Sequence, residues 1–149
     1  MGDKAGTYKA AGAAWSVYMG MPIHHVVATG PKPVAPFSHA VEANGLVFIT
    51  GQMPTDPGAP DAPLPQGIEA QTKRVIENLR IVLGSLGLGL EHVTMARIYL
   101  TDFDRDYAGL NALWPGFFTP GKLPARTTVG VTALAVGALV EIDLIAARP

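Results

Sequence analysis

The stretch that most limits what this chain can become is its last quarter, Pro124 to Ala147, PARTTVGVTALAVGALVEIDLIAA. Val129 and Val131 alternate on one segment, and Val140, Ile142 and Leu144 on the next. That period of two belongs to half-buried strands, so a terminal hairpin is expected, two strands facing each other across a short turn. Two charges interrupt the pattern, Arg126 where the first strand begins and Glu141 in the second. An unpaired buried charge is costly, so each must meet water, the other, or a ligand. Arg126 carries the planar fork that grips a carboxylate in two parallel hydrogen bonds. Glu141 can act as a base or hold a water. The residues alone leave solvent exposure or a plain ion pair equally open.

Upstream, Ile23 to Ala28 is a short β-branched run closed by Gly30-Pro31-Lys32-Pro33. Phe37 to Glu42 and Leu46 to Gly51 form a hairpin around Ala43-Asn44-Gly45, whose Asn-Gly pair supplies positive φ angles. Met53 to Gly67 is loop, dense in Pro, Gly and Asp. Ile68 to Leu86 is the clearest helix, its stripe made by Ile68, Val75, Ile76, Leu79, Val82, Leu83 and Leu86, with Gly87 as a left-handed cap. Val93 to Leu100 follows as a strand. Asp102 or Asp104 caps a second helix that Pro115 should end or kink near Trp114. The order is β-β-β-α-β-α-β-β. Both helices can cover one face of a single mixed or antiparallel sheet, an α+β two-layer domain that leaves the other face bare.

Composition supports a partner for that bare face. A chain that is 48% hydrophobic and only 15% charged has little polar side chain with which to clothe its surface, so a homo-oligomer is expected. The net charge of -1 argues against an electrostatic grip on nucleic acid. Zero cysteines exclude disulfides and thiolate sites and fit a cytoplasmic protein. No apolar run approaches a membrane span, and no signal-peptide core is recognisable. Residues 1–21, rich in Ala and Gly around Trp15 and Tyr18, read as an N-terminal extension before a domain at 22–149.

Other motifs weigh little. Gly116 to Lys122 has phosphate-loop spacing, but Leu123 stands where Ser or Thr would meet magnesium, and a helix rather than a strand precedes it. The Gly84-to-Gly89 run is helix termination. The histidines are scattered, so no metal site is expected. Gly51 closes a strand where backbone can approach a ligand. Asn111 is a polar tip on the second helix.

Together FITGQMP (48–54), GLGLEHV (87–93), YLTDFDRDYAGLNALWPGFF (99–118), PARTTVGV (124–131) and VEIDLIA (140–146) resemble the RidA/YjgF family of imine and enamine deaminases. The likeness spans about residues 23–148. It implies a chorismate-mutase-like fold, a mixed β-sheet covered on one face by two helices, in homotrimers with clefts between subunits. It implies Arg126 on a substrate carboxylate and Glu141 on the attacking water, with Phe37, Thr50, Gly51, Asn111 and Thr128 lining the cleft. No cofactor is implied. The expected substrate is a small carboxylate-bearing imine or enamine. The rival expectation is a binding or regulatory protein of the same fold that holds small carboxylates without turnover. Two departures stand out: Phe37, in Ala35-Pro36-Phe37, replaces a Tyr, and Thr128 replaces a frequent Cys.

Overall fold

The computed structural model describes residues 20–149, so the extension expected at 1–21 lies almost wholly outside the described residues. The elements are β1 (Ile23–His25), β2 (Ala40–Ala43), β3 (Leu46–Gln52), α1 (Gly67–Ser85), β4 (Val93–Leu100), α2 (Phe103–Leu113), β5 (Ala125–Gly130) and β6 (Val140–Ala147). This is the expected order. The strands form one six-stranded sheet, β1-β2-β3-β6-β4-β5. Neighbours are antiparallel except β4 and β5, which run parallel, so the sheet is mixed.

The expected terminal hairpin does not form. β4 lies between β5 and β6 and pairs with both. Alternation identifies a strand but not its neighbour, and residues 131–139 are more than a tight turn. That link is bonded instead to the end of β4. The Val131 N–H donates to the Leu100 carbonyl (2.8 Å), and the Thr101 N–H donates to that of Leu139 (3.1 Å). β6 takes the central place because every second residue is apolar: Val140, Ile142, Leu144 and Ala146 are all buried.

The core fills the space between the helices and one sheet face. Val75, Ile76, Leu79, Val82 and Leu83 of α1 pack there with Ala96, Ile98 and Leu100 of β4 and with Leu110 of α2. Turn chemistry sets the boundaries. Asn44 (φ 52°) and Gly45 (φ 76°) take the left-handed conformations that a two-residue hairpin demands. Gly87 (φ 71°) stops α1 as its N–H donates to the Gly84 carbonyl. The Asp102 carboxylate accepts from the Arg105 N–H at the start of α2 (3.2 Å). Pro115 ends that helix at Leu113, and the chain passes into a 3₁₀ turn, Trp114–Phe117.

Two strands are shorter than their apolar runs. β1 stops at His25 rather than Ala28, and β2 begins at Ala40 rather than Phe37. The buried His39 ring explains both. Its Nδ1 accepts from the Val27 N–H (3.0 Å) and its Nε2 donates to the Pro31 carbonyl (2.9 Å). These bonds hold residues 27–31 in a turn that a continued strand would break.

The opposite sheet face has no helix over it. Leu46, Phe48 (42% exposed) and Val129 are open there. Apolar side chains left open on a sheet face that no helix covers fit an interaction surface.

Ile142 is fully buried at the centre of the sheet. Its truncation to Ala should cost about 2–5 kcal/mol through lost transfer energy and the cavity left behind. Urea unfolding checks this, and a loss below about 1 kcal/mol would contradict the packing described.

Candidate functional site

The most irregular part of the sheet is where β3 meets β6. Ile49 pairs with Leu144, and the next pairing is Gln52 with Ile142, so β3 carries one residue more than its partner. This bulge falls at Thr50-Gly51. Bulges bend a strand and re-aim its neighbours, and they gather beside active sites. Thr50 is tied to the chain beside it, its hydroxyl donating to the Ser38 carbonyl (2.6 Å) and its N–H to that of His39 (3.0 Å). Gly51 then lies directly against Glu141. A Cβ on residue 51 would stand 2.9 Å from the Glu141 Cδ, closer than carbon atoms approach without a shift. Glycine here makes room for a carboxylate.

Glu141 lies on the helix-free face, in register with Tyr99. It forms no ion pair with any described residue. Burial pushes its pKa above the ordinary carboxylate range, and the negative charge of Asp143, two residues along the same face, adds to the rise. Asp143 is itself held from two sides. It accepts from Arg97 Nε (2.8 Å) and from the Tyr99 hydroxyl (3.1 Å). Tyr99 is raised as well, first by burial and then by Asp143.

Arg126 is set differently. On β5 it pairs with Ala96, which belongs to the helix-covered face. Its Nη2 donates to Asn111 Oδ1 (2.7 Å), and its Cζ lies 5.5 Å from the ring centroid of Trp114. Asn111 and Trp114 are three residues apart, so α2 and its 3₁₀ extension present both to β5. Thr128 follows on the same face of β5, its enclosed hydroxyl without a hydrogen-bond partner.

The seven residues singled out from the sequence therefore fall into two groups. Thr50, Gly51 and Glu141 meet at the bulge. Arg126, Asn111 and Thr128 meet beneath α2. Phe37 joins the first group, lining a shallow depression with Val34, Gly51, Gln52 and Met53. The expectation of a guanidinium and a carboxylate on adjoining strands, facing one crevice, is not met within one chain. β4 separates their strands, and they pair with Ala96 and Tyr99, at positions of opposite parity. Nor do they form an ion pair with each other, which removes the plainest reading of their charges.

Sequence reasoning overlooked Trp114, Asp143 and Arg97. The spacing was available for two of them, since Trp114 is one helical turn from Asn111 and Asp143 is one strand repeat from Glu141. Among the described residues no three His, Asp or Glu side chains converge as metal ligands, and no helix is long and apolar enough to cross a membrane.

A family model described as endoribonuclease L-PSP matches residues 27–148. Protein DfrA of Myxococcus xanthus is 44% identical over 119 residues, covering 78% of this chain and 88% of that protein. A RutC family protein of Synechocystis is 38% identical over 122 residues, 82% of this chain and 93% of its own. Among solved structures, RidA from the Antarctic bacterium Psychrobacter superposes with a TM-score of 0.74 at 34% identity, covering 80% of this chain and 94% of its own. The yeast protein YEO7 gives a TM-score of 0.78 at 32% identity, covering 87% and 100%.

The raised pKa of Glu141 has a definite sign in stability. The native state favours the protonated form, so its contribution is full below the unfolded pKa and is lost as pH rises through the folded one. Glu141→Gln should therefore gain on the parent protein as pH rises across that window, read by urea unfolding at a series of pH values. An Asp143→Asn change should bring the Glu141 titration, followed by carbon NMR of its carboxyl, back toward the ordinary range. An unmoved titration would refute the coupling.

Proposed function

Because the chain belongs to the YjgF/RidA family, we propose that it hydrolyses small 2-imino acids, formed from their enamine tautomers, to 2-keto acids and ammonia. The observation that carries this reading is Glu141, a carboxylate with a raised pKa and no cationic partner among the described residues, lying against a glycine bulge. A base with a pKa lifted toward working pH is suited to take and return one proton.

The step balances without a redox partner. Glu141 accepts a proton as the water oxygen attacks the imine carbon, and the C=N bond becomes a C–N single bond. The carboxyl then gives a proton to the nitrogen. That bond breaks as the hydroxyl returns its proton to Glu141, ammonia leaves, and the carbonyl of the keto acid remains. Arg126 binds the substrate carboxylate through its free N–H groups and so turns a loose encounter into an oriented one. Phe37 supplies an apolar wall with no hydroxyl. No metal or organic cofactor enters, since a protonated imine is already electrophilic.

One chain does not complete this site. Arg126 and Glu141 occupy opposite faces of one sheet, so the Arg126 of one copy must meet the Glu141 of a neighbouring copy. The apolar helix-free face provides the surface on which copies associate, and a homotrimer with three clefts between subunits is the arrangement we propose.

Incubating the protein with 2-iminobutyrate or 2-aminoacrylate, generated in place, should release the keto acid and ammonia. Arg126→Ala and Glu141→Gln should each lower kcat/KM at least about a hundredfold. Mixed trimers assembled from equal parts of the two inactive variants should regain about a quarter of the parent sites, because each mixed ring rebuilds one intact Arg126–Glu141 pair. Mixtures that stay inactive would overturn the shared site, and a keto acid bound tightly with no imine consumed would make the protein a carrier.

A further inference from the structure

Trp114 is buried (4% exposed) at the turn that ends α2, packed on Phe118 (centroids 5.0 Å apart) and edge-on to Phe117 (6.5 Å). A core aromatic needs nothing more to account for it. Yet one ring face is turned to the Arg126 guanidinium, 5.5 Å away, on an edge strand that is otherwise open to solvent. The same guanidinium gives one N–H to Asn111 Oδ1. Arg126 has no carboxylate partner among the described residues, so this ring and this amide are what hold it.

We propose that Trp114 is a positioning residue, its buried indole face and the Asn111 amide together fixing the plane of the Arg126 guanidinium for a substrate carboxylate. This rests on the reading of Arg126 as the carboxylate anchor. The physical need is clear. An arginine side chain has several rotatable bonds, and a bidentate grip requires its fork to be coplanar with the carboxylate. A ring face attracts the cation while leaving every N–H free to donate, which a carboxylate partner would not. Arg126 is donor only, so Asn111 must turn its oxygen inward, and its NH₂ is then directed away from the guanidinium. The pair thus presents donors from two residues and no competing acceptor.

Trp114 also reports on its own role. The chain has two tryptophans, Trp15 and Trp114, so a Trp15→Phe protein carries a single indole stacked on the group in question. Titrating that protein with 2-oxobutyrate should change its emission with the same midpoint that calorimetry gives for binding. The change should vanish in Trp15→Phe/Arg126→Ala. In turnover, Trp114→Leu should raise KM about tenfold while kcat stays within about twofold, and Trp114→Phe, which keeps a ring face, should recover most of the loss. The split matters because a general loss of packing would lower the amount of active protein and leave KM alone. Arg126-dependent binding with unchanged Trp114 emission, or a Trp114→Leu protein with the parent KM, would overturn the proposal while the deaminase reading survives. Absence of any Arg126-dependent keto acid binding would overturn both. The emission experiment leaves Trp114 intact and so holds even where Trp114→Leu fails to fold.

Discussion

Val140, Ile142, Leu144 and Ala146 are sealed beneath the helices, and that burial sets the parity of the whole sheet. A strand with one apolar side has no freedom to slip by a single residue, because a slip would move every buried side chain into the open. Once β6 is fixed, Glu141 and Asp143 must point to the helix-free face. Since β4 pairs with both β6 and β5, the same parity passes across it, and Arg126 and Thr128 must point under α2. The location of each charged group follows from where the hydrocarbon goes.

Local features were legible wherever one residue decides a conformation. Asn44-Gly45, Gly87, Asp102 and Pro115 each do in the structure what their chemistry dictates, and the stripe from Val75 to Leu83 is buried as its spacing requires. The two boundaries at β1 and β2 were hidden because their cause, the His39 ring bonded to Val27 and Pro31, joins residues far apart in the chain. The pairing of the last two strands was hidden for a related reason. Alternation is a property of one strand, whereas adjacency is decided by which strand offers the best two neighbours, and β6 found them in β3 and β4.

The candidate site shows the same limit. Arg126 and Glu141 were visible as charges in apolar strands, and the structure confirms that each sits in a special environment. Their companions were not visible. Trp114 looks like core in any sequence reading, and it is core. Only the approach of a guanidinium from another element gives it a second use. Asp143 likewise looks like an ordinary strand carboxylate until Arg97 and Tyr99 are seen to hold it beside Glu141.

Separation across β4 has a chemical advantage that an adjacent pair would lack. Were Arg126 and Glu141 neighbours on one face, they would close into an ion pair, which depresses the carboxylate pKa and occupies the fork. The base would lose its affinity for a proton and the anchor its affinity for an anion. Placed on opposite faces, each keeps its own environment: Glu141 is desolvated against Gly51, and Arg126 is held by a neutral ring and a neutral amide. In the homotrimer we propose, bringing the two together across copies would leave the substrate carboxylate as the partner that Arg126 lacks. Such association would build the cleft without spending the charges that make it useful.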